Sequence, residues 1–283
     1  MTKILKGHSG CSLEIIKKND ILMVRKTARD KSYNQRLRKQ MIKQQRFLSK
    51  GSDDIFTPKV YDYGFDSQEC FYFDMEFIEG QTVANYIEKT DLPAVNMLLT
   101  KLLHHVKPSL GQKQNCNQKI QKKIQELTEL QTDSSKNVKV ALSLLKEFDW
   151  SYVSNSPCHG DLTFENIIIT NNGEFYLIDF LDSFCDSWIV DFAKIMQDLE
   201  IGWSYRLDKT NASRNVQLLF AKKRFLEKLT KLEHGNKMIK TIYHMLLLNI
   251  LRIFPYTTDN HTKNFLNTAI NKTLQIIGSF ENE

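Results

Sequence analysis

Residues His159-Gly160-Asp161-Leu162-Thr163-Phe164-Glu165-Asn166, followed by Leu177-Ile178-Asp179-Phe180, combine an aspartate, an asparagine five positions later and a second aspartate eighteen positions after the first. Phosphoryl transfer from a nucleotide requires such a set. One carboxylate meets the proton of an attacking hydroxyl, while an amide and a second carboxylate hold magnesium on the phosphates. The flanking residues read as a hairpin. Ile167-Ile168-Ile169-Thr170 is an apolar β-branched run, Asn171-Asn172-Gly173 is a turn signal, and Phe175-Tyr176-Leu177-Ile178 is a second strand. Asn166 then enters the first strand and Asp179 leaves the second, so both can face one metal site.

The elements that must position these groups follow from the pattern of the chain. Residues 4–26 read as three strands, with Gly7-His8-Ser9-Gly10 between the first and second. A G-x-x-G turn can bring backbone N–H groups close to phosphate oxygens, because glycine leaves room and tolerates φ > 0. Lys26 ends the third strand, and alternation turns Arg25 to the opposite face, where it should be solvated. Residues 32–49 read as a basic amphipathic helix with Leu37, Met41, Gln44 and Leu48 on its inner stripe and Gln40 beside them. Strands at 60–63 and 70–77 lead into Met75-Glu76-Phe77-Ile78-Glu79-Gly80. Helices are expected at 82–89, 93–106, 117–131, 135–149, 187–201, 235–254 and 260–279, with another near 212–232. The polar stretch 107–134 reads as a lid or insertion, and Asp186 or Ser187 as the cap of the helix that follows.

The pattern H-G-D-x-x-x-x-N with a downstream I-D-F resembles the aminoglycoside phosphotransferase and choline kinase group, small-molecule kinases of the protein-kinase-like fold. The resemblance implies an α+β, two-lobed architecture. Residues 1–76 would form a small N-lobe with an antiparallel sheet and one helix, 77–80 a hinge, and 81–283 a larger, mostly helical C-lobe. By the same resemblance Asp161 is the catalytic base, Asn166 the second metal ligand and Asp179 the main magnesium ligand. Lys26 would pair with the α- and β-phosphates, and Gly7, Ser9 and Gly10 would cover them. Met75 would sit behind the adenine ring, and backbone groups of Glu76 and Ile78 would bond its edge. Asp191 would brace the catalytic loop, with His159 packed beneath it as a structural residue.

The family expects a glutamate on the N-lobe helix to hold the strand lysine. None lies between Asp30 and Gly51, and Gln40 and Gln44 are the available substitutes. Gly160 after the histidine, Leu181 after Phe180 and the lack of an A-P-E motif favour a small hydroxyl compound over a protein as acceptor. The implied reaction moves the γ-phosphoryl group of ATP or GTP, with Mg2+, to an aminoglycoside, a sugar, choline or another amino alcohol. The alternatives are a nucleotide-binding pseudokinase or regulatory module, which the missing glutamate favours, and an atypical protein kinase. The acceptor is expected between Asp161, residues 182–191 and the C-terminal helices. There Trp188, Trp203, Tyr205 and Tyr243 either stack on it or belong to the core. Asp182 reads as a metal or substrate neighbour, or as a solvated surface group.

Composition is that of an ordinary globular protein: 283 residues, 41% hydrophobic and 25% charged. The net charge of +6, from 39 basic and 33 acidic residues, suits an anionic ligand but is too diffuse to argue for nucleic acid. Cys11, Cys70, Cys116, Cys158 and Cys185 are odd in number and lack C-x-x-C spacing. They read as reduced thiols of a cytoplasmic protein. The N-terminus carries no signal-peptide pattern. The most apolar stretch, 244–251, is far short of the ~20 residues of a transmembrane helix, so no transmembrane segment is expected.

Overall fold

A computed structural model of the chain describes residues 3–5, 10–48, 55–105, 115–130 and 135–280. Packing groups residues 1–83 with 165–182 as one compact unit, and 84–164 with 183–283 as a second.

Among the described residues the first unit holds nine strands: β1 (Lys3–Leu5), β2 (Cys11–Lys18), β3 (Ile21–Ala28), β4 (Ile55–Phe56), β5 (Val60–Phe65), β6 (Phe71–Glu76), β7 (Gln81–Thr82), β8 (Ile167–Ile169) and β9 (Phe175–Leu177). Five of them form an antiparallel sheet in the order β1-β2-β3-β6-β5. Register pairs Lys18 with Ile21, so Asn19 and Asp20 alone make the turn, at φ of 51° and 62°. A two-residue hairpin whose twist matches its strands needs φ > 0 at both positions, and Asn and Asp tolerate that conformation best after glycine. Helix α1 (Asn34–Leu48) lies on this sheet. The Asn34 side chain fixes its start by accepting from the Phe71 amide at 2.7 Å and donating to the Glu69 carbonyl at 2.9 Å. Leu37 and Met41 then bury themselves with Cys11, Ala28, Cys70, Phe71, Phe73 and Met75.

Arg25 departs from its expected solvation. It does face away from Lys26, but it sits directly across from Asp74 of β6 and grips that carboxylate with two bonds of 2.7 and 2.8 Å. Asp74 is fully buried, and a buried carboxylate needs a charged partner. Tyr72 supplies a ring face 4.1 Å from the guanidinium.

The other four strands form a small sheet in the order β4-β9-β8-β7, with β4 and β9 parallel. These pairings tie the 167–177 hairpin to residues 55–82, although the sequence-level boundary at 81 grouped it with the helices. Gly80 is required at the entry to β7: a Cβ there would lie 2.4 Å from the Ile169 carbonyl oxygen.

The second unit is helical: α2 (Val83–Ile87, whose first residue belongs to the first unit), α3 (Leu92–His105), α4 (Asn117–Leu130), α5 (Lys136–Glu147), α6 (Trp188–Ile201), α7 (Ala212–Thr230), α8 (Gly235–Ile253) and α9 (Asn260–Ser279). Among the described residues no helix is long and apolar enough to cross a membrane. Helix α4 corrects the lid reading of 107–134 in its described part. Ile120, Ile124 and Leu127 are buried at i, i+4 and i+7, and α4 packs on α5 and α8 as part of the helical core. Helix α6 is buried over its whole run from Trp188 to Glu200. Ser187 caps its start, and Gly202, at φ 68°, closes its end in the left-handed conformation. Trp188, Tyr205 and Tyr243 are core residues rather than an exposed stacking surface. Trp203 is half-buried under the Arg206 guanidinium, 4.1 Å away.

Candidate active site

In the first unit, β3 and α1 bring together the residues expected around a nucleotide phosphate. The Lys26 ammonium is buried, 3.1 Å from Gln40 Oε1 and 2.5 Å from Asp179 Oδ1. Of the two glutamines, Gln40 is the one that meets Lys26. Its amide nitrogen donates to the Tyr33 hydroxyl at 3.3 Å. Gln44, the other candidate, lies one turn further along α1 and turns elsewhere. It donates to the Pro58 carbonyl at 2.7 Å and meets the Met75 sulfur at 3.7 Å. A glutamine on an apolar stripe has to find such partners, because an unmet amide costs ~1–3 kcal/mol.

Asp179 follows β9 with φ 60°, in the left-handed region. Phe180 behind it is buried edge-on against Phe47, with centroids 5.3 Å apart. The Ile178 amide donates to the Asn166 carbonyl at 3.0 Å, which sets Asn166 beside Asp179 at one end of the β8–β9 hairpin. Lys43 donates to the Leu181 carbonyl at 2.9 Å, and Asp182 pairs with Lys39 at 3.2 Å on the surface. Met75 is buried. The Glu76 amide donates to the Lys59 carbonyl at 2.8 Å, so only the Glu76 carbonyl can serve the expected adenine contact. Ile78 is half-buried just beyond β6. Gly10 accepts from the Arg29 amide at 3.0 Å, whereas Gly7 and Ser9 lie outside the described residues.

In the second unit, one face of α6 holds the segment 159–164. Asp191, Lys194 and Asp198 fall at i, i+3 and i+7, so their side chains line up along the helix. Asp191 accepts the amides of His159 and Gly160, each at 2.7 Å. Lys194 lies 3.0 Å from Asp161 Oδ1. Asp198 accepts the Phe164 amide at 2.5 Å and the Ser204 amide at 2.8 Å. Gly160, at φ 91°, gives the segment a bend that side-chain residues rarely adopt. His159 is fully buried, and its Nδ1 accepts the Asp161 amide at 3.2 Å. A ring nitrogen that accepts carries no proton at that position, so His159 orients backbone. Burial alone would raise the Asp161 carboxyl, but Lys194, with Arg252 behind it, holds it below the ordinary carboxylate range.

Asp191 was legible as a brace. Lys194 and Asp198 were not singled out, although two charges three and seven residues after Asp191 in an apolar helix are the signal that marks them. Glu200, two residues beyond Asp198, is a buried structural anion. It takes Lys222 at 3.1 Å, Lys272 at 2.9 Å and the Tyr243 hydroxyl at 2.8 Å. All five cysteines are buried free thiols, and Cys158 points to Asp186, 3.5 Å away.

The model of the APH phosphotransferase enzyme family matches residues 19–218. The chain belongs to the APH phosphotransferase enzyme family. No curated protein sequence matches it. Among solved structures, it is similar to the GDP complex of wild-type aminoglycoside 2'-phosphotransferase-IIIa: 12% identity, 99% of this chain and 93% of that one, TM-score 0.67. It is also similar to aminoglycoside phosphotransferase APH(4)-Ia, at 15% identity, with 99% and 93% covered and a TM-score of 0.64. The streptomycin-ATP complex of APH(2")-IIa follows at 16% identity, 97% and 91% covered, TM-score 0.59. Identities this low speak for shared fold alone, and the α+β architecture of this family member is the protein-kinase-like fold.

Proposed function

We propose that the chain moves the γ-phosphoryl group of ATP or GTP, with magnesium, to a hydroxyl of a small molecule. The contact between Lys26 and Asp179, 153 positions apart in the chain, carries this reading. It joins a buried ammonium to a carboxylate, which supports reading Lys26 as a phosphate-binding cation and Asp179 as a metal ligand. Residues 1–76 would cover the nucleotide, 77–80 would bond its base through backbone groups, and 81–283 would supply the base and the acceptor site.

The donors suit magnesium. Asp179 offers carboxylate oxygens and Asn166 an amide oxygen at one end of one hairpin, and this ion typically takes one or two carboxylates together with substrate phosphates. When bound, it would neutralise charge on the β- and γ-phosphate oxygens. Lys26 would do the same for the α- and β-phosphates. Asp161 would orient the acceptor hydroxyl and receive its proton at a carboxylate oxygen as the bond to γ-phosphorus forms and the bond from γ-phosphorus to the bridging oxygen breaks, releasing ADP or GDP. The transition state of such transfers is loose, so orientation and fixed charge supply most of the rate.

Solved relatives hold AMP-PNP with hygromycin B, GDP with kanamycin, and ATP with streptomycin. An aminoglycoside is therefore one acceptor class to test beside sugars, choline and other amino alcohols. The decisive experiment offers γ-labelled ATP or GTP and magnesium to a pool of these compounds and to a mixture of proteins. Label on a small molecule supports the proposal. Nucleotide binding without transfer would make the chain a pseudokinase, and label on protein an atypical protein kinase. Either outcome overturns it.

A further inference from the structure

We propose that Lys194 is a positioning residue that sets the direction of the Asp161 carboxylate. The inference rests on the proposed role of Asp161 as the base. The braces on the 159–164 segment divide by what they hold. Asp191 and Asp198 take main-chain amides, at His159, Gly160 and Phe164. Those bonds fix the path of the backbone and leave both side-chain torsions of Asp161 to be set by something else. Lys194 is the member of the same α6 row that reaches the side chain, at Oδ1. With one oxygen held, the carboxylate plane and the direction of its second oxygen are fixed before an acceptor arrives. A base needs that orientation, because a reacting group turned away by about 1 Å can lose on the order of 100-fold in rate.

The choice of lysine fits its surroundings. Lys194 is 8% exposed, between Ala193 and Ile195 in a helix buried from Trp188 to Glu200. A cation so placed is stable only opposite an anion, and Asp161 is that anion. The ammonium also has no acceptor atoms, so it holds the carboxylate without competing for the proton that the base must receive.

Crystal structures of Lys194→Met and Lys194→Arg test the idea without an identified acceptor. In the methionine variant the Asp161 side chain should leave its present rotamer while the His159 and Gly160 amides stay on Asp191. In the arginine variant the side chain should stay in place. An unmoved Asp161 carboxylate in Lys194→Met, or a displaced 159–164 backbone, overturns the proposal. Kinetics add an independent arm, with γ-labelled ATP and the pool of sugars, amino alcohols and aminoglycosides. The kcat of the methionine variant should fall on the order of 10- to 100-fold, with recovery in Lys194→Arg and AMP-PNP affinity within about twofold. Weakened AMP-PNP binding in step with the lost rate would also overturn it. If the unmodified protein labels nothing in the pool, the proposed function fails, and the crystal structures still decide what Lys194 does.

Discussion

Replacing Gln40 with glutamate turns the main departure from the kinase pattern into a measurement. Lys26 divides its bonding between Gln40 Oε1, at 3.1 Å, and Asp179 Oδ1, at 2.5 Å. Lys26 is 3% exposed and Gln40 2%, so their contact escapes the solvent screening that weakens surface pairs. The Lys26–Gln40 bond is charged at one end only, and a second charge opposite the ammonium would strengthen it by about 1 kcal/mol. Gln40→Glu should therefore draw about 1 kcal/mol of Lys26 bonding from Asp179 to residue 40, a factor of roughly five in equilibrium. The swap leaves no buried group stranded, because the Tyr33 hydroxyl, which now accepts from Gln40, can donate to a carboxylate instead. On the proposed role of Asp179, a carboxylate less engaged by Lys26 should hold magnesium better. Calorimetry of AMP-PNP binding across a magnesium titration should show half-saturation at about fivefold lower metal in the variant. An unchanged or higher magnesium requirement, at unchanged melting temperature, would refute the reasoning.

Further predictions concern Asp161 and the buried charges of the second unit. Asp161→Asn should abolish transfer in the labelled-nucleotide assay while AMP-PNP affinity holds. It should also lower stability by ~1–3 kcal/mol in urea melts, because it strands the Lys194 charge; adding Lys194→Met should restore stability without restoring transfer. Glu200→Gln removes the anion shared by Lys222 and Lys272, both of which reach solvent, and should cost about 1–3 kcal/mol in the same melts, with little change in nucleotide affinity. His244 is buried and stacked on Phe148 at 3.7 Å, and burial pushes its pKa down to about 4 from 6.5, against the opposing bond to the Lys240 carbonyl. The unfolded chain then binds the extra proton first, so stability falls as pH drops from about 6.5 towards 4, by as much as ~3 kcal/mol. His244→Phe keeps a ring at the stack and should flatten that limb; an equal pH dependence in both proteins would reject the assignment.

Much of the fold was legible because local chemistry and tertiary packing agree. Asn19-Asp20 leaves the chain little choice but a tight turn, and the two strands that flank it pair in full register. The helices of the second unit begin and end near their expected limits, since caps such as Ser187 and Gly202 stand in the sequence where they act. The errors came where a residue's environment depends on a partner remote in the chain. Arg25 was placed on the correct face but assigned to solvent, because nothing near it announces that Asp74 lies buried across the ladder. The Gln and Lys content of 107–134 suggested a surface device, yet three apolar positions at helical spacing outweighed it and drew α4 into the core. Gln40 and Gln44 could not be told apart by periodicity, since four residues of helix return a side chain to nearly the same face. The positions of Lys26 and Pro58, set by other strands, decide between them.

The sequence motif names the candidate reacting groups but not the groups that hold them, and the reason is physical. A motif records side chains that must meet one ligand, so their spacing is compressed into a loop and a hairpin. A brace needs only to reach that loop from whatever element packs behind it. Asp191, Lys194 and Asp198 sit about thirty residues downstream, in a helix that periodicity alone assigns to the core. Their common signal is thermodynamic rather than positional. Charge inside an apolar helix carries a desolvation penalty of several kcal/mol unless a partner of opposite polarity waits opposite. Three such charges on one side of α6 therefore imply three partners on one segment, two of them amide donors and one an anion. In this chain that anion is Asp161. Reading buried charge in this way ties Asp161 to Lys194, and it predicts that loss of either charge is tolerated in stability only when the other is lost with it.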